Sequence, residues 1–209
     1  MDGLLVDSEP CWHQARVRLA HEAGKSWTES DHQVVMGVST PEWASYMLKR
    51  LELDMTAAEL VERIVANMQE IYRQRIPFLP GAIQAVHLVS SRYLTGLASG
   101  SHRSLIETVL NDPSMQGRFR VVVSSDALPH GKPAPDIYLE AARLLGISPK
   151  NCLCLEDSKN GILAGVAAGM KVIAVPDPRY KPPDEILHQA DIVLSSLEHF
   201  SLELVGQLG

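Results

Sequence analysis

The chain has 209 residues, enough to bury a substantial core as one sizeable domain or as a core with a modest insertion. Its 45% hydrophobic and 21% charged residues match a soluble globular protein, and no apolar run is long enough to span a bilayer. A formal net charge of −6, with no cluster of Lys and Arg, argues against a nucleic-acid surface, since phosphate backbones are held by clustered cations. Three cysteines, Cys11, Cys152 and Cys154, are too few and odd in number for a disulfide framework, and no basic region precedes an apolar stretch at the N-terminus. A cytoplasmic monomer is the expectation, with no membrane and no nucleic-acid partner.

From about Glu9 to Arg75 the apolar residues recur at helical spacing: Ala15, Leu19 and Ala23, then Trp43, Met47 and Leu51, then Leu60, Ile64, Met68 and Ile71. This reads as four helices and no strand. Thr40-Pro41-Glu42 and Thr56-Ala57-Ala58-Glu59 read as helix starts, a capping hydroxyl followed by proline in the first turn or by glutamate at the third position. After Pro77-Phe78-Leu79-Pro80-Gly81 the texture changes to short apolar strands alternating with amphipathic helices. Strands are expected near Tyr93 to Ala98, Val121 to Ser124, Cys152 to Leu155, Val172 to Val175 and Ile192 to Leu194. Helices are expected near Ala82 to Ser90, Ser104 to Asn111, Ala134 to Leu145, Gly161 to Ala168 and Pro183 to Gln189. Such alternation predicts an α/β fold, a parallel sheet with helices on both faces, in which ligands bind beyond the carboxyl ends of the strands.

That rule gives four polar stations one address. Asp2-Gly3 opens the chain, Ser99 follows the strand ending Leu97-Ala98, Lys132 lies in the loop after Val121 to Asp126, and Glu156-Asp157 closes Cys152 to Leu155. A hydroxyl and backbone N–H groups at a helix start can hold phosphate oxygens, and a lysine can neutralise charge on a transferring group. Adjacent carboxylates suit a hard cation, magnesium first, and Asp2 is placed to give or take a proton at a leaving oxygen. Taken singly, Asp2-Gly3 is a turn, Ser99 a helix cap, Lys132 a solvated charge and Glu156-Asp157 a helix-dipole partner. Only the combination carries the inference. Cys152 and Cys154 share one face of a strand and read as packing; His13, His102 and His130 form no metal motif. Trp12, Trp27 and Trp43 read as helical core, Trp12 also as a candidate cleft residue.

The segments Asp2-Gly3-Leu4-Leu5-Val6-Asp7-Ser8-Glu9-Pro10, Leu97-Ala98-Ser99-Gly100-Ser101, Gly131-Lys132-Pro133-Ala134-Pro135-Asp136-Ile137-Tyr138 and Leu155-Glu156-Asp157-Ser158-Lys159-Asn160-Gly161 closely resemble the four motifs of the haloacid dehalogenase-like hydrolases. The likeness is to subfamily I, the branch of phosphoglycolate phosphatases, sugar-phosphate phosphatases and beta-phosphoglucomutase. It implies a Rossmann-like, doubly wound core in residues 1–8 and 77–209 with an α-helical cap inserted at 9–76. It also implies Mg2+-dependent phosphoryl transfer through an aspartyl-phosphate on a small phosphorylated metabolite. Asp2, Ser99 and Lys132 then match catalytic positions, Gly3, Ser99, Gly100 and Lys132 the phosphate cradle, and Asp2 through its backbone carbonyl, with the Glu156 and Asp157 carboxylates, the metal ligands.

The family's nucleophile is an aspartate two positions before the residue matched by Asp2, and residues 1–209 hold no counterpart for it. The expectation is that the start falls inside an Asp-Met-Asp-Gly motif, that the chain without its upstream segment is inactive, and that two neighbouring strands stand unpaired. Asp2 favours ester hydrolysis or mutase chemistry over the dehalogenase and phosphonate branches. Where beta-phosphoglucomutases carry an arginine after a segment resembling Gly37-Val38-Ser39, this chain has Thr40, and Trp12 replaces their histidine; both tilt the reading from mutase to phosphatase. A non-catalytic phosphometabolite-binding protein is the alternative from another class. Lys132 is expected to matter for the chemical step more than for folding.

Overall fold

The computed structural model describes residues 1–208, and the chain divides into two compact units: Ser8–Pro77, and Met1–Asp7 together with the chain from Phe78 onward.

The first unit is four helices, α1 (Glu9–Glu22), α2 (Glu29–Val35), α3 (Thr40–Leu51) and α4 (Ala57–Gln74). Their apolar faces meet: Leu19, Met47, Leu51, Leu60, Ile64 and Met68 are fully buried. Reciprocal capping boxes start α2, α3 and α4, satisfying N–H groups that a helix start otherwise leaves open. At α4 the Glu59 N–H donates to Thr56 Oγ1 at 3.2 Å and the Thr56 N–H to the Glu59 carboxylate at 2.7 Å, as the sequence predicts. At α3 the cap is Ser39, with its N–H 2.9 Å from Glu42, and Thr40 is already the first helical residue. The three-residue spacing of the box selects Ser39, because Glu42 can reach back only that far.

Two charged groups are buried in this unit among the described residues, Asp31, which accepts from Arg50 Nε at 2.8 Å, and Arg16. The Arg16 guanidinium is buried with its Cζ 5.3 Å from the ring centres of both Trp12 and Trp43, and its Nη1 lies 3.2 Å from His32 Nδ1. Arginine can only donate, so His32 Nδ1 accepts and the imidazole is neutral. Burial, then the charge of Arg16 and then His13, push His32 down to about 4. Burial also lowers Arg16 to about 10, against the pull of Glu9. Trp27 and Trp43 are buried as expected of core residues.

The second unit alternates strands and helices: α5 (Ala82–Ser90), β1 (Gly96–Ser99), α6 (Arg103–Leu110), β2 (Val121–Ser124), α7 (Asp136–Leu145), β3 (Leu153–Glu156), α8 (Lys159–Ala167), β4 (Lys171–Ala174), α9 (Asp184–Leu187), β5 (Ile192–Val193) and α10 (Leu202–Gly206). All strand pairings are parallel, but the ladder is in two pieces. β1 pairs with β2, Ser99 opposite Ser124; β3 pairs with β4, Glu156 opposite Ala174; β4 pairs with β5. Tyr93 and Leu94, expected in the first strand, are exposed, because the Tyr93 N–H is drawn 2.8 Å to the Val89 carbonyl at the end of α5. α7 starts at Asp136, not Ala134, with Pro135 at its cap. The short α10 was not anticipated from the pattern.

The chain leaves this unit after Asp7 and returns at Phe78. An antiparallel bridge between Val6 and Phe78, with the Leu79 N–H 2.9 Å from the Leu5 carbonyl, ties the two passages. No helix among the described residues is long and apolar enough to cross a membrane.

Candidate active site

Asp2 sits on a tight loop. The Gly3 N–H donates to the Val6 carbonyl at 2.9 Å, and the Met1 carbonyl accepts from Leu5 N–H at 2.8 Å. Gly3 has φ +68°, and a Cβ there would stand 2.1 Å from Asp157 Oδ2, so only glycine lets this loop lie against the Asp157 carboxyl. The Ser101 hydroxyl donates to Asp2 Oδ2; Asp2 Oδ1 is buried with no hydrogen-bond partner. Ser101 is itself fixed on both sides. Its N–H donates to Ser99 Oγ at 3.2 Å and its carbonyl accepts from Ser124 Oγ at 2.9 Å, so the carboxyl ends of β1 and β2 together set the position of Asp2. Gly100 keeps an open backbone, its nearest neighbour to a would-be Cβ being Ser125 Oγ at 3.9 Å.

Glu156 ends β3 and organises the other half. Lys132 Nζ and the Tyr138 hydroxyl both donate to its Oε1, and the Ser158 hydroxyl donates to Oε2 at 3.3 Å. The Lys132 ammonium also lies 5.0 Å from the centre of the Tyr138 ring. Ser158 caps α8 by accepting the Gly161 N–H at 3.1 Å, and a Cβ on Gly161 would fall 1.8 Å from Glu156 Oε2. The first turn of α8 therefore rests directly on this carboxylate. Burial opposes ionisation of Glu156, but Lys132 and the Tyr138 hydroxyl outweigh it and hold the group below its ordinary value. Tyr138 is driven well above the usual phenol range by its own burial and by Glu156. Asp157, with no hydrogen-bonded cation of its own, is pushed up to about 7 by burial and by the neighbouring Glu156 charge.

The stations named from sequence thus fall into three linked pairs: Asp2 with Ser99 through Ser101, Gly3 with Asp157, and Lys132 with Glu156. Among the described residues no hydrogen bond joins Lys132 directly to Asp2 or Ser99. Nor is there, among the described residues, a group of three His, Cys, Asp or Glu side chains that could hold a metal ion. The Glu156 carboxylate accepts from Lys132 and Tyr138. Ser101, Tyr138 and Ser158 were missed as site residues. All three lie inside the motif segments, but their roles depend on contacts with partners 2 to 99 positions away in sequence. Asp7 is occupied elsewhere, accepting from Arg179 at 2.7 Å. Cys154 is buried, its thiol pushed up to about 12 first by burial, and packs where Gly165 leaves room.

A family model described as haloacid dehalogenase-like hydrolase matches residues 1–175. Hexitol phosphatase B of Escherichia coli K12 is 35% identical over 211 aligned residues, spanning 99% of this chain and 94% of that protein. A probable pseudouridine-5'-phosphatase of Drosophila melanogaster is 36% identical over 215 residues, 99% of this chain and 91% of that one. Among solved structures, a putative beta-phosphoglucomutase from Thermotoga maritima superposes with a TM-score of 0.81 at 27% identity, covering 99% of this chain and 96% of the other. With its four motif segments meeting at the strand ends and its whole length matched by such relatives, the chain belongs to the haloacid dehalogenase-like hydrolases, in the branch of sugar-phosphate phosphatases and beta-phosphoglucomutases.

Proposed function

We propose that this protein is a Mg2+-dependent phosphatase acting on a small phosphorylated metabolite, a sugar phosphate or a phosphoglycolate-like ester. The observation that carries the reading is the Asp2 carboxylate, held at one oxygen by Ser101 and left with its other oxygen buried and unpartnered. A buried oxygen without a partner is costly unless something else occupies the site. The leaving alkoxide of a phosphate ester, taking a proton from Asp2, fits that need, and Asp2 would recover the proton from the water that hydrolyses the phosphorylated intermediate.

Ser99, the Gly100 backbone and Lys132 would hold the phosphoryl oxygens. Lys132 is already set by Glu156, so its charge is in place before substrate arrives and costs no reorganisation in the transition state. The donor chemistry also fits a hard dication: Asp157 is a buried carboxyl pushed up to about 7, a group that a neighbouring positive charge would return to its ionised form. Asp157, Glu156 and the Asp2 main-chain carbonyl would hold it, Glu156 also positioning Lys132. The ion would supply charge neutralisation between phosphate and carboxylates. The nucleophile the family requires is an aspartate two positions before Asp2.

The hexitol phosphatase and pseudouridine phosphatase relatives support hydrolysis of a small phosphate ester. A mutase must grip phosphates at both ends of a bisphosphate, and Trp12 and Thr40 offer no cation for the second grip. The test is phosphate release from a panel of sugar phosphates, phosphoglycolate and nucleotides. It uses protein extended upstream of Met1 so that an aspartate stands two positions before Asp2, with and without magnesium. Magnesium-dependent release from a small ester is expected; no release from any ester by the folded, extended protein would overturn the reading in favour of a non-catalytic binder.

A further inference from the structure

The strand register sets Ser99, at the end of β1, opposite Ser124, at the end of β2. Past those ends the two loops lie against each other, and three consecutive residues of one tie backbone groups of the other. Ser124 Oγ donates to the Ser101 carbonyl at 2.9 Å, Ser125 Oγ donates to the Gly100 carbonyl at 3.2 Å, and the Asp126 carboxylate accepts from the Arg103 N–H at 3.1 Å. Ser124 Oγ also accepts from the Asp126 N–H at 3.2 Å. A hydroxyl has one proton and an amide N–H can only donate, so the Ser124 proton is committed to the Ser101 carbonyl.

Ser101 is therefore flanked by two peptide planes, each pinned by its carbonyl oxygen. A peptide is planar and trans, so a carbonyl held on the β2 side turns the next N–H the opposite way, and the Ser101 N–H reaches Ser99 Oγ at 3.2 Å. Fixing both planes fixes the backbone angles of Ser101 and the direction of its side chain, whose hydroxyl donates to Asp2 Oδ2. That leaves Oδ1, buried and unpartnered, to meet the leaving oxygen. We propose that Ser124 and Ser125 are positioning residues for Asp2, acting through the backbone and hydroxyl of Ser101, and that they set the preference of the site for esters of poorly leaving alcohols. The inference rests on the phosphatase reading above. In that reaction the P–O bond to the leaving group breaks, its electron pair stays on the leaving oxygen, and the Asp2 proton goes to that oxygen. A sugar alkoxide leaves only with that proton, whereas a nitrophenolate carries the charge by itself. Displacing Asp2 therefore costs the first far more than the second.

The experiment uses the extended protein with magnesium, on the fastest sugar phosphate of the panel and on 4-nitrophenyl phosphate. Ser124→Ala should lower kcat for the sugar phosphate about 10- to 100-fold and for the nitrophenyl ester about 3-fold or less, with KM for both held within that smaller factor. Ser125→Ala, at a less buried position, should show the same split at smaller size, and Ser124→Thr, which keeps the hydroxyl, should recover the sugar phosphate rate. A role in packing alone would depress both esters equally. That result, or no loss on either ester, in variants with unchanged circular dichroism would overturn the proposal. A second readout needs no turnover: by NMR, the Asp2 carboxyl-carbon resonance of the 209-residue chain should shift in Ser124→Ala, although Ser124 makes its hydrogen bonds to Ser101 and Asp126 and none to Asp2. An unmoved resonance would overturn the proposal whatever the kinetics. A shifted resonance in a protein that hydrolyses neither ester would sustain the positioning of Asp2 and overturn the phosphatase reading instead.

Discussion

In the helical unit each apolar ridge meets another from the same continuous stretch of chain: Leu19 of α1, Met47 and Leu51 of α3, and Leu60, Ile64 and Met68 of α4 are all fully buried. In the α/β unit α7 and α8 bury Ile137, Ala141, Ile162 and Ala164 against strands whose partners come from distant sequence, β1 from β2 and β4 from β3 and β5. The difference lies in where hydrogen bonds are satisfied. A helix closes its own ladder and needs neighbours only for its apolar face, whereas a parallel strand needs a partner on each side, supplied from elsewhere in the chain. The same contrast extends to charge. The helical unit buries the Arg16 guanidinium with aromatic and imidazole partners and the Asp31 carboxylate with Arg50, at separate places, while the α/β unit gathers Asp2, Lys132, Glu156 and Asp157 at the ends of its strands.

The sharpest break of this comparison is Lys132→Met. Lys132 is the cation hydrogen-bonded to the buried Glu156, so its loss should cost about 3–5 kcal/mol of folding stability as well as turnover. This differs from the expectation that Lys132 serves chemistry more than folding; the buried Glu156 partner is the reason. Adding Glu156→Gln should restore most of the stability and none of the turnover, measured by urea denaturation and phosphate release. Asp157→Asn should behave oppositely. Turnover of the extended protein should fall on the order of 10²–10³-fold, while the thermal midpoint holds or rises because a buried carboxyl beside Glu156 is gone.

The helical unit has its own titration. His32 faces Arg16, His13 and Glu9, all on α1, and takes up its proton at about 4 in the folded protein, below its ordinary 6.5. The unfolded chain therefore protonates first, so stability is complete above about 6.5 and falls as pH drops toward 4. A loss of about 1–2 kcal/mol is expected after solvent screening, read as the difference between wild type and His32→Gln in denaturation followed by near-UV circular dichroism. The smallest effect should come from Thr56→Ala, about 1 kcal/mol, because it removes only the hydroxyl half of the α4 capping box.

Much of this architecture was legible in residue order. The heptad-like spacing from Ala15 to Met68 specifies four helices because side-chain direction in a helix is a local property. The strand expected near Val121 to Ser124 and the helix expected near Ala82 to Ser90 lie there, because local side-chain periodicity marks both kinds of element. The motif segments around Asp2, Ser99, Lys132 and Glu156-Asp157 identified the family and the edge of the sheet where its residues gather. Tertiary structure alone decided what those residues touch. That Ser101 rather than Ser99 holds Asp2, that Tyr138 shares Glu156 with Lys132, and that Arg16 is enclosed by Trp12, Trp43 and His32 follow from distances across the fold, which no local pattern encodes. A strand's own residues specify its extended shape, but its hydrogen-bonding partners are set by whatever chain arrives beside it.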